Sequence, residues 1–254
     1  MKLTLIGNGI MAQSLAIGLV KKYEVEMIGR EINKLQQIKQ KIPQLEIKEL
    51  SDVEDISEKN IIFCVKPYAL ESVSIRLNGT ANSFISILAG TKLEYLKKQI
   101  SAKHYVRSMP NIAASVQNSM TTSTGDIEIK EMAIDIFNSI GEAIWVNSET
   151  HLDIASAISA SGPAFLALVA EAICDGAVKV GLDRHMAQHL VQGLFSSTSS
   201  LLQHSHAAII KDSVMSPAGT TAAGYAKLEE AGVRNAFIQA VEGSFNKSQK
   251  ISEK

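Results

Sequence analysis

The run Lys2-Leu3-Thr4-Leu5-Ile6-Gly7-Asn8-Gly9-Ile10-Met11-Ala12 decides how the first half of the chain folds. Five residues of β type lead at once into glycines, and a helical apolar pattern then continues to Lys22. A strand, a glycine turn and a helix start, in that order, form the context of the dinucleotide-binding fingerprint. Gly7 permits the tight turn and Gly9 lets the backbone approach a pyrophosphate. Ala12, at the last small position, lets the helix lie close to the strand. The glycine spacing alone is shared with ordinary turns between a strand and a helix. Its place directly after a strand gives it weight.

Working outward, Glu24 to Ile28 reads as the second strand, ending at Gly29-Arg30. An acidic residue at that point suits the ribose hydroxyls of NAD, whereas a basic one suits the 2′-phosphate of NADP. Arg30 therefore points to NADPH, and Glu31 next to it keeps NADH as the alternative. Asn33 to Ile42 is a helix stopped by Pro43, followed by a short strand at Leu45 to Ile47 and an acidic turn from Ser51 to Lys59. Ile61 to Val65 and Phe84 to Leu88 are continuous apolar runs of the kind found in buried parallel strands. They end at Lys66-Pro67 and Ala89-Gly90, and helices follow at Tyr68 to Leu77 and Lys92 to Ile100. Tyr105 to Met109 is a further strand, ended by Pro110-Asn111. Three strand ends marked by small or breaker residues define one crevice edge, where open parallel sheets bind ligands. Lys66 is there either a phosphate or ribose contact or a solvated loop lysine. A strand at Ser119 to Thr124, a helix at Glu131 to Ile140 and a strand at Ala143 to Val146 complete this half.

After Asn147 the periodicity becomes helical throughout, which divides the chain into residues 1–147 and 148–254. Helices read as Thr150 to Ala160, Pro163 to Val180, Asp183 to His204, Ala207 to Asp212, Thr221 to Ala231 and Arg234 to Lys250. Gly181 and Gly232 act as stops, and Asp183 is a helix cap. The only charges between Pro163 and Val180 are Glu171, Asp175 and Lys179, a single stripe at four-residue spacing. A helix apolar nearly all round must be buried on most sides. In about 105 residues of helix, that requires a second subunit. The expected fold class is α/β: a Rossmann-like dinucleotide-binding domain followed by an all-α dimerisation domain.

Composition narrows the function classes. The 254 residues carry a net charge of −1, 20% charged and 5% aromatic residues, with no basic run that would serve nucleic acid. Cys64 and Cys174 are far apart, which reads as buried reduced thiols in a cytoplasmic protein. Leu3 to Val20 lacks charge, yet Gly7, Asn8, Gly9, Gln13 and Ser14 interrupt it, against an export signal or membrane span. His185 and His189 are four apart on a helix, but no third ligand stands nearby, so no metal site is expected.

The second chemical signal lies at Met215-Ser216-Pro217-Ala218-Gly219-Thr220-Thr221. A small-residue turn feeding a helix start leaves backbone N–H groups unpaired and pointing one way, next to the positive end of the helix dipole. A carboxylate would fit, with Thr220 or Thr221 adding a hydroxyl. The competing reading is an ordinary helix cap, for which threonine is suited.

With these motifs in place, the chain resembles pyrroline-5-carboxylate reductase along essentially its whole length. The resemblance is carried by Gly7 to Ala12, Val65-Lys66-Pro67, Ala89-Gly90, Arg107-Ser108-Met109-Pro110-Asn111 and Ser159 to Phe165. It continues through Asp212 to Thr221, the most specific block, and Leu228-Glu229-Glu230-Ala231-Gly232. It implies reduction of a cyclic imine to L-proline with NADPH or NADH, in a homodimer at least and in some cases a ring of dimers. It also implies a cofactor site at Gly7, Asn8, Gly9, Ile10, Met11, Arg30, Val65, Lys66, Pro67, Ala89 and Gly90. The substrate site would be Ser213, Ala218, Gly219, Thr220 and Thr221, with the Thr221 hydroxyl near the ring nitrogen as the catalytic contact. The departures are Ala160 and Ala218 in place of glycine, Phe165 in place of tyrosine and Ala207 in place of proline. Ala218 matters most, because a Cβ disfavours the positive φ that glycine accepts.

Two rival readings are open to the residues. A β-hydroxyacid dehydrogenase shares the fingerprint but relies on a lysine in the long helix after the first domain, and here only Lys179 at its far end is available. A dinucleotide-binding sensor without chemistry is opposed by the intact Thr220-Thr221 turn.

Overall fold

The computed structural model describes residues 1–252. Met1–Ser161, joined by the chain from Ser244 onward, forms one compact unit, and Gly162–Gly243 forms a second. The first unit is built in the order β1 (Lys2–Ile6), α1 (Ile10–Leu19), β2 (Glu24–Gly29), α2 (Ile32–Lys41), β3 (Glu46–Glu49), β4 (Glu54–Asp55) and β5 (Asn60–Phe63). It continues with α3 (Leu70–Ser74), β6 (Leu77–Asn78), β7 (Ala81–Ser86), α4 (Leu93–Gln99), β8 (Ala102–Met109), β9 (Ser119–Gly125), α5 (Lys130–Asn138), β10 (Gly141–Trp145) and α6 (Glu149–Ser159).

Eight strands form one sheet in the order β10-β9-β8-β7-β5-β1-β2-β3, and β4 pairs with β6 apart from it. β3, β2, β1, β5, β7 and β8 are parallel, whereas β9 is antiparallel to β8. The chain winds outward from β1 through β2 to β3, then crosses to β5 and winds the other way. The strand order therefore reverses between β1 and β5, which opens a crevice at their carboxyl ends. Along β1 the pleat sends Leu3 and Leu5 to one face, with Leu15 and Leu19 of α1, Leu35 of α2 and Phe137 of α5. Ile6 faces the other side with Phe63, Phe84, Leu70 and Leu96. Each such fully buried leucine or phenylalanine contributes about 1.5–3 kcal/mol, so both faces are needed to fix the sheet.

Several expected boundaries move, each for a local reason. α1 ends at Leu19 because Lys21 and Lys22 donate to Gly18 and Leu19, tightening the last turn. The helix expected from Tyr68 to Leu77 is a 3-10 turn at Pro67–Ala69 followed by the short α3, and Leu77 leaves it to pair with Glu54. The expected acidic turn thus holds a strand, anchored by Glu54, whose buried carboxylate takes Lys48 at 2.7 Å and Lys59 at 3.0 Å. Cys174 is buried but Cys64 only half so, and both are free thiols. Strand pattern ends at β10, near the expected division at residue 147, but α6 belongs to the unit of the sheet. Its Leu152 and Ala157 are buried, and its two acids meet Arg107 of β8.

The second unit contains α7 (Gly162–Lys179), α8 (Arg184–His204), α9 (Ala207–Ser213), α10 (Thr220–Glu230) and the start of α11 (Val233–Ser252). Asp183 caps α8 by accepting the N–H groups of His185 and Met186. Its small core is Cys174, Ala187 and Val191, with Ala170, Ala177, Val178, Leu182 and Phe195 against it. Only Cys174 of α7 is buried in the single chain, while Leu168 is 66% and Ile173 41% exposed. Leu168 and Ile173 line an apolar groove with Phe165, Leu228 and Phe237. His185 and His189 are exposed on α8, and no cluster of three metal-ligating side chains occurs among the described residues.

Candidate functional site

The crevice predicted by the strand reversal is a cleft lined by the ends of β1, β2 and β5. Gly7, Asn8 and Gly9 form one wall, Arg30 and Lys34 a second, and Val65, Lys66 and Tyr68 a third. Gly7 has φ +114, and a Cβ there would lie 2.8 Å from the Cys64 carbonyl carbon. Glycine is therefore required both for the turn and for the close approach of β5. The turn is tied by Gly7 N–H to Ile28 O and Cys64 N–H to Ile6 O, each 2.8 Å, and by Gln13 Nε2 donating to Asn8 O at 3.1 Å. Nothing lies within 4 Å of where a Cβ on Gly9 would stand. Cys64 lines the floor of this cleft, and burial pushes its thiol well above the usual range, so it stays protonated at neutral pH.

These residues fit a dinucleotide. Open space over Gly9 at the start of α1 suits a pyrophosphate. Asn8 Nδ2 is buried with no hydrogen-bond partner among the described residues, which is the condition of a donor awaiting a ligand oxygen. Arg30, Lys34 and Lys66 put three cations on the cleft, and Glu31 is not part of its lining. Of the other expected cofactor residues, Ile10 is 79% exposed at the first position of α1, with Met11 behind it. Pro67 starts the 3-10 turn and lines a neighbouring depression with Gly90. Ala89 and Gly90, after β7, border a further cavity with Met109 and Asp153 rather than the cleft at Gly7.

The expected substrate turn lies in the second unit. The Gly219 N–H donates to Ser216 O at 3.0 Å, and Ala218 between them has φ +57. Pro217 and a left-handed Ala218 at the two central positions make the arrangement of a type II turn. The Cβ thus does not prevent positive φ here. One expectation changes: the Gly219 N–H is committed to the turn. The donors left at the start of α10 are those of Thr220, Thr221 and Ala222. Gly219 is the N-cap residue and no side chain caps the helix, so Thr220 and Thr221 are its first two residues rather than its cap. Ser213 donates its hydroxyl to Ile210 O at 2.8 Å, back along α9.

The chain is similar to known proteins along its whole length. Residues 149–251 match the family model described as pyrroline-5-carboxylate reductase dimerisation, and residues 2–90 match that described as NADP oxidoreductase coenzyme F420-dependent. A pyrroline-5-carboxylate reductase of Synechocystis sp. is 35% identical over 266 residues, covering 100% of this chain and 99% of its own. The chain belongs to the pyrroline-5-carboxylate reductase family. A solved 1-pyrroline-5-carboxylate reductase of Streptococcus pyogenes superposes with a TM-score of 0.86 at 26% identity, covering 98% of both chains. The Plasmodium falciparum pyrroline carboxylate reductase, solved with NADP bound, gives 0.82 at 27% identity over 99% of this chain and 100% of its own.

Within this reductase family chain, three features escaped the sequence reading. Lys34 lines the cleft four residues after Arg30; the signal was its place in the first turn of α2. Tyr68 stands at the cleft 85% exposed, a flat ring without protein cover. Arg107, in the block Arg107 to Asn111, is 1% exposed between two carboxylates, both from residues distant in sequence.

Proposed function

We infer that this chain reduces the cyclic imine of 1-pyrroline-5-carboxylate to L-proline, taking its reducing equivalent from NADPH. The observation that carries the reading is a cleft built for a dinucleotide in a chain 35% identical from end to end to a pyrroline-5-carboxylate reductase. NADPH is favoured over NADH because Arg30 and Lys34 both line the cleft beyond β2, where a 2′-phosphate lies in folds of this type. Bound there, the cofactor supplies a hydride to the imine carbon.

The residues hold and orient. The Gly7–Gly9 turn and the α1 start take the pyrophosphate, Asn8 Nδ2 gains the partner it lacks, and Arg30 and Lys34 neutralise the 2′-phosphate. Val65, Lys66 and Pro67, with Ala89 and Gly90, carry the remainder of the cofactor. On the substrate side, the Thr220, Thr221 and Ala222 N–H groups hold the carboxylate, together with the Ala218 turn. The Thr221 hydroxyl meets the ring nitrogen. A protonated imine is already electrophilic, so positioning the two reactants is the main task of the protein.

The division of labour we propose is a cofactor half built on residues 1–147, with α6 and the chain from Ser244 packed onto it, and a substrate and dimerisation half in the remainder of residues 148–254. The exposed apolar groove of α7, α10 and α11, within the stretch that matches the dimerisation model, supports a homodimer at least. We place the enzyme in the cytoplasm, with no membrane or nucleic-acid partner, and rings of dimers are an open extension of the same interface. The test is direct: the purified protein should oxidise NADPH only when the imine is supplied, and should form L-proline in equal amount. Oxidation dependent on a β-hydroxyacid pair, or binding of NADPH without turnover, would favour the two rival readings.

A further inference from the structure

Arg107, near the end of β8, points its guanidinium at two acids on successive turns of α6. Nη1 donates to Glu149 Oε1 at 2.8 Å and Nη2 to Asp153 Oδ1 at 3.0 Å. Neither carboxylate stops there. The same Glu149 oxygen accepts the N–H of Leu93 at 2.9 Å, the first residue of α4 and only three residues beyond Gly90. The other oxygen of Asp153 accepts Gln249 Nε2 at 3.0 Å, from the last turns of α11. Two residues later, Ile251 seats on Gly90: a Cβ built on that glycine, which has φ +64, would lie 2.4 Å from Ile251 Cγ2. The segment from Ala89 to Lys92 is thus held at its far end by Glu149 and at Gly90 by Ile251. Both anchors lead back to one buried cation.

We propose that Arg107 is a positioning residue for the hydride transfer: through Glu149 and Asp153 it fixes the Ala89–Lys92 turn, and with it the redox-active end of the dinucleotide. This rests on the assignment of Ala89 and Gly90 to the cofactor made above. The reason such a device matters is geometric. Reacting atoms must stand about 3–3.5 Å apart, and a displacement of about 1 Å can lower the rate on the order of 100-fold. A turn after a strand has few contacts of its own, so its position is set by what ties it down. Stability alone does not call for this arrangement, because buried ion pairs can be replaced by apolar side chains of similar volume at little loss. Here the guanidinium holds two carboxylates, each with a second donor from a different element.

The experiment compares Glu149→Ala and Glu149→Gln with the wild type by steady-state kinetics, melting temperature and binding of both NADPH and 2′,5′-ADP. The second ligand carries the adenosine end but lacks the nicotinamide. Glu149→Ala should lower kcat by about 10-fold or more and weaken NADPH binding, while 2′,5′-ADP binds as before. Glu149→Gln, whose amide oxygen still accepts both N–H groups, should recover most of the loss. Should Glu149→Ala not fold, Glu149→Asp carries the same expectation, because its shorter side chain cannot meet both donors. A folded Glu149→Ala enzyme with normal kcat and NADPH affinity overturns the proposal, as does equal weakening of NADPH and 2′,5′-ADP. Ala89→Trp separates the underlying reading. If it leaves NADPH kinetics unchanged, the turn does not touch the cofactor and the proposal falls with that assignment. If it impairs them while Glu149→Ala does not, the positioning role alone fails.

Discussion

The carbonyl oxygen of Ser216 accepts the Gly219 N–H at 3.0 Å, and that closure holds Ala218 at φ +57. An L-residue in this left-handed region is disfavoured by roughly 1–2 kcal/mol. Ala218→Gly removes that strain but loosens the unfolded chain by about 0.4–1 kcal/mol. The melting temperature should therefore rise slightly or stay unchanged, with the Michaelis constant for the imine unaltered. Ala218→Val puts a branched side chain where positive φ is an outlier. It should raise that constant at least about 10-fold, one order for each 1.4 kcal/mol of lost carboxylate binding. Thermal melts and initial rates on both variants check this.

Thr221 is the second residue of α10, behind the N-cap Gly219, so its hydroxyl is not needed to cap the helix. Thr221→Ala should leave the melting temperature near that of the wild type. Turnover should fall about 10- to 150-fold, the equivalent of a hydrogen bond worth about 1.5–3 kcal/mol in the transition state. Thr221→Ser should recover most of it and Thr220→Ala should be mild. A destabilised Thr221→Ala protein with normal turnover would move the catalytic contact elsewhere.

Arg30 and Lys34 line the same part of the cleft, and both are exposed. Replacing either by alanine should raise the Michaelis constant for NADPH by about 10-fold, the lower end for a charge-assisted contact weakened by solvent. The constant for NADH should hardly move. Equal effects on both cofactors would remove the phosphate assignment.

How much of this was legible beforehand differs by element. The Lys2 to Ala12 run carried its own context, and observed β1 has the expected bounds. The period change after Asn147 marked where strands end, since helical spacing is local information. What escaped depends on partners distant in sequence. Arg107 meets acids 42 and 46 residues away, and Leu77 pairs with Glu54 through two residues only. No periodicity reports such pairs. The left-handed Ala218 was opposed by its own Cβ, and only the closed turn around it overrides that preference. Lys34 was missed for a simpler reason: a lysine in a helix reads as solvated surface.

Ile173 on α7 is 41% exposed and lines the apolar groove with Leu168 and Phe237. Ile173→Asp would place an unpaired charge in a buried subunit interface, which opposes association by several kcal/mol. Light scattering should show a shift from dimer to monomer, with activity lost in parallel. An active dimer carrying this substitution would contradict the assignment of the groove.

The central claim is that this chain brings NADPH and the imine together for direct hydride transfer to the imine carbon. It is tested most directly with NADPH carrying deuterium at both nicotinamide C4 positions, in the presence of 1-pyrroline-5-carboxylate. One deuterium per molecule of L-proline, on the ring carbon that was doubly bonded to nitrogen, is the expected result. NADPH oxidation that leaves proline unlabelled, or proceeds equally without the imine, would contradict the account.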